Sequence, residues 1–140
     1  CIRDRFLNVG LLDERFFFGT EDYDFCHRVL KAGYRLLYTP TAVVWHKVGA
    51  SRKLGLTSIY QGYKTSVIYM KNKLPKLVWF FWFFVYSAYV LLVSFYRKRD
   101  RSTTNWYKYV KAASIGLKEG FYDVRITRSD VEHAQRLFRE

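Results

Sequence analysis

The acidic cluster at Thr20–Asp24 (Thr-Glu-Asp-Tyr-Asp) is the strongest candidate for chemistry in this chain. A carboxylate at the junction of a loop and a helix can act as a general base on a substrate hydroxyl. The same residues can instead form the acidic first turn of a helix, where the helix dipole favours negative charge. Asp24 and Arg28, four residues apart, also fit an exposed ion pair. The cluster by itself leaves both interpretations open.

His46 is the second candidate, because a neutral imidazole is a common ligand for divalent metals. It would end a short strand and emerge at the edge of a sheet. A single histidine in the sequence Trp-His-Lys is more often structural than a ligand. The third feature is the segment from Gly10 to Gly19, which contains an acidic pair and a block of aromatic residues. That segment alone indicates a loop with a hydrophobic anchor.

These candidates must be positioned by the elements around them. A helix is expected over residues 21–32, with Thr20 as its N-cap and Gly33 after its end. Two strands are expected next, over residues 34–38 and 42–46. Further helices are expected over residues 57–72 and 105–121, both with apolar stripes. A last helix would begin near Ser129, with a capping box from Ser129 to Glu132.

The segment Leu77–Tyr96 holds no charged residue and would extend about 30 Å as a helix, enough to cross a bilayer. A single span is the default interpretation. The segment is rich in tryptophan and tyrosine, which prefer the headgroup level, so a helix lying in the interface is the second interpretation. A buried core helix of a soluble domain is the third.

The charge of the chain lies on the two sides of this apolar segment. Residues 1–46 hold six basic and six acidic residues, residues 47–76 hold seven basic and no acidic, and residues 97–140 hold eleven basic and six acidic. This layout points to an anionic membrane surface, and no nucleic-acid-binding motif accompanies it. Cys1 and Cys26 have neither the spacing of metal ligands nor that of a disulfide framework.

Three motifs follow one another between Val9 and Gly49. The first is a glycine followed by an Asp-Glu pair and paired aromatics: Gly10, Asp13, Glu14, Phe16 and Phe17. The second is an acidic pair, a further acid, an arginine and a Gly-Tyr pair: Glu21, Asp22, Asp24, Arg28, Gly33 and Tyr34. The third is Pro-x-Ala-x-Val-x-His, ending at His46. In this order they resemble the second half of the family 2 inverting glycosyltransferases, which have a GT-A fold.

The resemblance implies a role for each matched residue. Asp22 would be the general base that deprotonates the acceptor hydroxyl, whose oxygen then attacks the anomeric carbon of the donor in line. His46 would complete the shell of a Mg²⁺ or Mn²⁺ whose other ligands lie outside this chain. Glu21 and Asp24 would orient the acceptor or the loop, and Arg28 would hold the carboxylates.

The fold class expected from the resemblance is an α/β fragment: the C-terminal half of a GT-A (Rossmann-like) domain, followed by a membrane-associated helix and amphipathic helices. Residues 1–50 would be the acceptor-site half and residues 51–76 a basic amphipathic helix. Residues 77–96 would form the transmembrane or interfacial helix, and residues 97–140 a basic cytoplasmic tail.

The family binds its donor through an N-terminal half with an Asp-x-Asp motif, so this chain is expected to be inactive alone. The expected partners are a nucleotide-sugar donor, a lipid-linked or polysaccharide acceptor and the cytoplasmic side of the cell membrane. Transferases for rhamnose and galactofuranose of cell-surface polysaccharides have similar segments. Two other interpretations stay open: a non-catalytic membrane-bound remnant that docks on a transferase, and a basic bilayer-binding module.

Overall fold

A computed structural model describes residues 2–16, 19–45, 55–97 and 106–138 of the chain. These parts form six helices joined by loops and turns. The helices are α1 (Ile2–Val9), α2 (Glu21–Lys31), α3 (Leu56–Lys73), α4 (Lys76–Arg97), α5 (Trp106–Tyr122) and α6 (Arg128–Leu137). Among the described residues, the only β-pairing is an isolated parallel bridge between Phe16 and Ile126.

The expectation of an α/β fold is wrong. Residues 34–45 form no strand, although their apolar and β-branched residues favour one. The side chains of this segment are largely exposed, up to 89% for Tyr38 and 94% for Trp45. A strand is stabilised by hydrogen bonds and side-chain contacts with a neighbouring strand, and the described residues supply none beside this segment. Local β-propensity cannot replace that partner.

The helices were predicted more accurately, because each carries its own periodic pattern. The starts and ends of α2, α3 and α5 agree with the prediction within one or two residues, and α4 extends the apolar run by one residue at each end. The last helix begins at Arg128, and its capping box is formed by Thr127 and Asp130. The prediction of a capping box from Ser129 to Glu132 is therefore wrong by two residues.

The helices α3 and α5 pack in parallel at very short range. Gly116 lies against the backbone of Tyr60, and Gly120 lies one turn further along against Lys64. A Cβ atom on Gly116 would lie 2.5 Å from the carbonyl oxygen of Tyr60, and one on Gly120 would lie 2.9 Å from that of Lys64. Glycines four residues apart let two helix backbones come this close, as in closely packed membrane helices.

The helix α4 runs back along this pair after the turn at Leu74 and Pro75. Its first turns lie beside the end of α5, where the rings of Trp79 and Phe121 are 5.2 Å apart. Further along, the ring of Tyr86 lies 6.2 Å from that of Tyr63 on α3. The described helices α3, α4 and α5 thus form an up-down-up bundle, with a shared core made of Val67, Trp79, Val90, Ala113 and Leu117.

The close approach of α3 and α5 gives a direct test. Replacing Gly116 with alanine should destabilise the fold by about 1–3 kcal/mol, because the new methyl group must push the two backbones apart. Gly62 is a matched control on α3, since a Cβ there meets nothing within 4 Å. Gly62→Ala should be neutral or stabilising by up to about 1 kcal/mol. Unfolding monitored by circular dichroism in a mild detergent measures both, and equal effects would contradict this packing.

Candidate functional site

The start of α2 is held in an unusual backbone conformation. Gly19 and Thr20 both have left-handed φ angles, +85° and +78°. Glycine adopts this region freely, but a β-branched residue there is strained by about 1–3 kcal/mol. Thr20 occupies the expected N-cap position, yet its side chain makes no capping hydrogen bond. Its Oγ1 is buried and has no hydrogen-bond partner within the described part of the chain.

The next two residues are the acidic pair of the sequence motif. Oε2 of Glu21 is buried and finds no hydrogen-bond partner among the residues that the structure describes. Asp22 is exposed, and its Oδ1 accepts a hydrogen bond of 2.8 Å from the backbone N–H of Tyr23. Asp22 is therefore a solvent-accessible carboxylate at a strained loop–helix junction. Buried polar atoms without partners are uncommon, and each one calls for an explanation.

Asp24 differs from Asp22 in its surroundings, because only 1% of its side chain is exposed. Its carboxylate accepts hydrogen bonds from Lys73 Nζ at 2.7 Å and from Arg28 Nε at 2.8 Å. Burial alone would raise the pKa of Asp24, but the bonds from Lys73 and Arg28 outweigh it and lower the pKa. Asp24 is therefore charged at neutral pH and holds α2 against the end of α3.

Arg28 connects Asp24 to the loop before α2. Its Nη1 donates to the carbonyl oxygen of Val9 at 2.8 Å, and its Nη2 donates to that of Leu11 at 2.7 Å. The same guanidinium group binds Asp24 through Nε. Arg28 was expected to hold the acidic residues of the motif, and in the structure it binds Asp24. The remaining donors fix the chain around Gly10.

The loop between α1 and α2 is held against the C-terminal half of the chain. Arg15 donates to Asn72 on α3 at 2.6 Å, and its carbonyl oxygen accepts the N–H of Ile126 at 2.8 Å. Phe16 is buried beside Tyr69. Two members of the sequence motifs, Phe17 and the expected metal ligand His46, lie outside the described residues.

A second charged cluster lies inside the helical bundle, and sequence reasoning missed it. The side chain of Lys64 is fully buried, and its ammonium group meets three carboxylates. The distances from Nζ are 3.1 Å to Glu119, 2.6 Å to Asp123 and 3.0 Å to Asp130. The hydroxyl of Tyr60 donates to Glu119 and accepts a hydrogen bond from Lys64. This Lys64 cluster joins α3, the end of α5 and the start of α6.

The ionisation of the Lys64 cluster follows from its contacts. Burial lowers the pKa of Lys64, but the hydrogen bonds that its ammonium group donates to Asp123, Asp130 and Glu119 outweigh it, so the net pKa is raised. Burial raises the pKa of Asp130, but hydrogen bonds from Thr127 and Lys64 outweigh it and lower the pKa. The amine and Asp130 are therefore both charged near neutral pH.

Carboxylate oxygens of Glu119, Asp123 and Asp130 lie within 4.8 Å of one another, close enough to be ligands of one metal ion. The ammonium group of Lys64 already makes an ion pair with each of them. An internal cation therefore balances their charge, and a divalent ion would have to displace Lys64 from a buried position. The arrangement fits a structural ion-pair network better than a metal site.

The sequence carried a partial signal for this cluster. Tyr60, Lys64, Val67 and Ile68 share one helical face, so a lysine stands within an otherwise apolar stripe. Such a lysine must be paired if it is buried. Its partners come from three places between residues 119 and 130, and no local pattern identifies which acids meet it.

Comparison of the chain with protein-family models, with curated proteins and with solved structures finds no match. The functional interpretation therefore depends on the motifs of the sequence and on the geometry of the two charged clusters.

The Lys64 cluster makes a prediction about stability. Lys64→Met should destabilise the fold by about 2–4 kcal/mol at pH 7, because three partly buried carboxylates lose the cation that they share. Lys118→Met removes a lysine from the exposed face of the same bundle and should change stability by less than about 0.5 kcal/mol. Urea unfolding of both variants measures the difference.

The pH dependence separates charge from packing in the same experiment. In the unsubstituted chain, the lowered pKa of Asp130 stabilises the fold above the ordinary aspartate pKa, and this contribution is lost on acidification. The raised pKa of Lys64 stabilises the fold below the ordinary lysine pKa, and its contribution is lost in strong alkali. In Lys64→Met, one of the contacts that lower the pKa of Asp130 is gone, so the stability lost on acidification should be smaller than in the unsubstituted chain. A parallel loss in both proteins would contradict the charge network.

Proposed function

We propose that this chain is the acceptor-side part of a family 2 inverting glycosyltransferase, in which Asp22 is the general base. The observation that carries the proposal is the strained junction at Thr20, followed by the acidic pair that the sequence motif places there. Strained backbone and polar atoms without partners concentrate at functional sites, because stability alone does not favour them. Thr20 has the strained φ of +78°. Thr20 Oγ1 and Glu21 Oε2 are two of the four buried side-chain polar atoms without a hydrogen-bond partner within the described residues, and the other two, Trp79 Nε1 and Ser87 Oγ, lie on α4.

Asp22 and Asp24 differ in exposure, and this difference supports Asp22 as the general base. Asp24 is buried in ion pairs with Lys73 and Arg28, so neither a substrate nor water can reach its oxygens. Asp22 is exposed, and a base must come within hydrogen-bond distance of the acceptor hydroxyl. A carboxylate at a helix N-terminus is a weak base, but departure of the nucleotide diphosphate drives the transfer forward.

The short connection between the Asp24–Lys73 ion pair and α4 supports a location of the site next to a membrane. Lys73, the partner of Asp24, is separated from α4 by Leu74 and Pro75 alone. The segment Lys76–Val93 of α4 is long and apolar enough to cross a membrane, and only 6% of it is buried. Trp79 and Val90 are its buried residues, and the low burial of the rest of the segment supports membrane contact over a helix enclosed in a soluble core. In the proposed enzyme, α4 holds the base near a lipid-linked or polysaccharide acceptor on the cytoplasmic face of the cell membrane.

The residues described above would bind the acceptor and not the sugar donor. A nucleotide-sugar would bind to an N-terminal half with an Asp-x-Asp motif, and Mg²⁺ or Mn²⁺ would neutralise the leaving diphosphate there. The resemblance gives His46 to the shell of that metal. The roles proposed for Asp22, Asp24 and Arg28 do not depend on His46.

Substitution of Asp22 tests the proposal in a polypeptide that joins this chain to such a donor-binding half. Asp22→Asn should lower the rate of sugar transfer by about 10²–10⁴-fold, the usual contribution of a general base. The thermal midpoint should stay within the error of the unsubstituted enzyme, because Asp22 is exposed. Transfer of radiolabelled sugar to a lipid extract, together with thermal unfolding, measures both effects.

Two variants serve as controls. Asp24→Asn should lose about 2 kcal/mol of stability, because Lys73 and Arg28 keep their charges and lose the carboxylate between them. Glu132→Gln, on the exposed surface of α6, should change neither property. Unchanged transfer by Asp22→Asn would remove Asp22 as the base. An upstream coding sequence without an Asp-x-Asp would favour the non-catalytic docking module.

A further inference from the structure

One side of α4 is apolar and exposed along almost the whole helix. The exposed side chains fall on an arc of about half the helix circumference, at 100° per residue. No charged residue interrupts this arc between the two ends of the helix. Its large members, here called the apolar face, are Leu77, Val78, Phe80, Phe81, Phe84, Val85, Tyr89, Leu91 and Leu92, each at least 48% exposed.

The opposite side of α4 packs on α3 and α5 along its length. The ring of Phe83 lies 4.9 Å from that of Phe121 near the end of α5. Tyr86 lies beside Tyr63, the residue before Lys64. The middle of α4 is therefore level with Lys64 and with the last turns of α5. If the middle of α4 lies at a given depth in a membrane, Lys64 and the last turns of α5 lie at about the same depth.

Those neighbours are rich in charged residues at this level. The Lys64 cluster contains one amine and three carboxylates, and the carboxylates remain 25–43% exposed. Lys118 is exposed three residues before Phe121, and Lys111 is exposed two turns earlier. The helix α6 runs beside α3 at the same level and exposes Glu132 and Arg136. Ionised side chains are strongly disfavoured at the centre of a bilayer, so a perpendicular α4 would carry several of them into the hydrocarbon.

We propose that α4 lies along the surface of an anionic bilayer, with its apolar face immersed in one leaflet, and does not cross the membrane. In this orientation the apolar face leaves water, while α3, α5 and α6 stay on the aqueous side. Helices with one apolar face and basic surroundings bind membranes in this way. The proposal deepens the membrane association within the proposed function, and it holds or fails without regard to sugar transfer.

The charge around α4 matches the surface of such a bilayer. A cavity of about 670 Å³ opens at the start of the helix, and Lys71, Lys76, Leu77, Trp79 and Phe80 line it. The ammonium group of Lys71 donates to the carbonyl oxygens of Phe121 and Asp123. Lys76 is exposed at the rim, so it is the lysine of this cavity that can meet a lipid phosphate, while the apolar floor suits acyl chains. Lys111 and Lys118 are exposed on α5, which packs on α4, and they add positive charge beside it. This complementarity favours an anionic membrane over a second copy of this chain, which carries the same net charge of +12.

Depth measurements distinguish a helix that lies flat from one that crosses. Spin labels are attached in turn at Leu77, Phe81, Ala88 and Leu92 in a Cys1→Ser, Cys26→Ser background, and the chain is reconstituted into vesicles with 30% phosphatidylglycerol. A flat helix gives four shallow depths in the same leaflet, and a label at Lys118 stays accessible to an aqueous relaxation agent. A maximum depth near the middle of α4, with a protected label at Lys118, would overturn the proposal.

Vesicle binding tests which surface makes the contact. Phe81→Glu places a charge in the centre of the apolar face and should weaken partitioning into the same vesicles at least tenfold. Leu137→Glu adds the same charge to α6, which packs on the cluster around Tyr60 and Ala112, and it should leave partitioning unchanged. Both variants are checked for an unchanged helical spectrum in detergent. Equal partitioning of Phe81→Glu and the unsubstituted chain would overturn the proposal, as would a dimer that buries the labels without lipid.

Discussion

The ammonium group of Lys64 is the point on which the helical half of the molecule depends. It is fully buried, so it must be neutralised, and its partners come from the end of α5 and from Asp123 and Asp130 beyond it. An apolar residue at this position would hold α3 against α5 without specifying where α6 begins. The ion pairs fix that position, because a buried charge accepts only an arrangement in which its partners are close. Gly116 and Gly120 bring the backbones near enough for this contact to form.

A second buried charge, Asp24, fixes the N-terminal part in the same way as Lys64 fixes the bundle. It connects α2 to Lys73 at the end of α3, while Arg28 binds the loop carbonyls before α2. These contacts connect the bundle to the candidate site, so the position of the bundle determines the position of the site. The Lys64 cluster sets the bundle, the end of α3 holds Asp24, and Asp24 fixes the first turn of α2. Asp22 can therefore stay exposed at a strained junction, because its neighbours supply the stability that this junction lacks.

The sequence predicted the elements that are held together by local interactions and failed for those that are not. The helices α2, α3 and α5 were located within one or two residues, since their apolar periodicity and end signals lie inside each helix. The strands over residues 34–46 were wrong as far as the structure describes them, because a strand depends on a partner that its own residues do not encode. The acidic cluster of the candidate site was found from spacing. The burial of Asp24 and the pairing of Lys64 depend on contacts far along the chain, which no local pattern contains.

Distant contacts also change the orientation that the uncharged sequence of α4 predicts. Taken alone, twenty uncharged residues favour a membrane span, and the length of the helix agrees with that. The packing of α4 ties it to α3 and α5, whose lysines and acids lie at its middle. Each charged residue at the centre of a membrane costs about 2.5–3.5 kcal/mol, and a helix that lies flat avoids this cost while its apolar face still leaves water. In the proposed orientation, the membrane meets the bundle and not α4 alone, because the apolar side of the bundle can enter the bilayer while its charged sides stay in water.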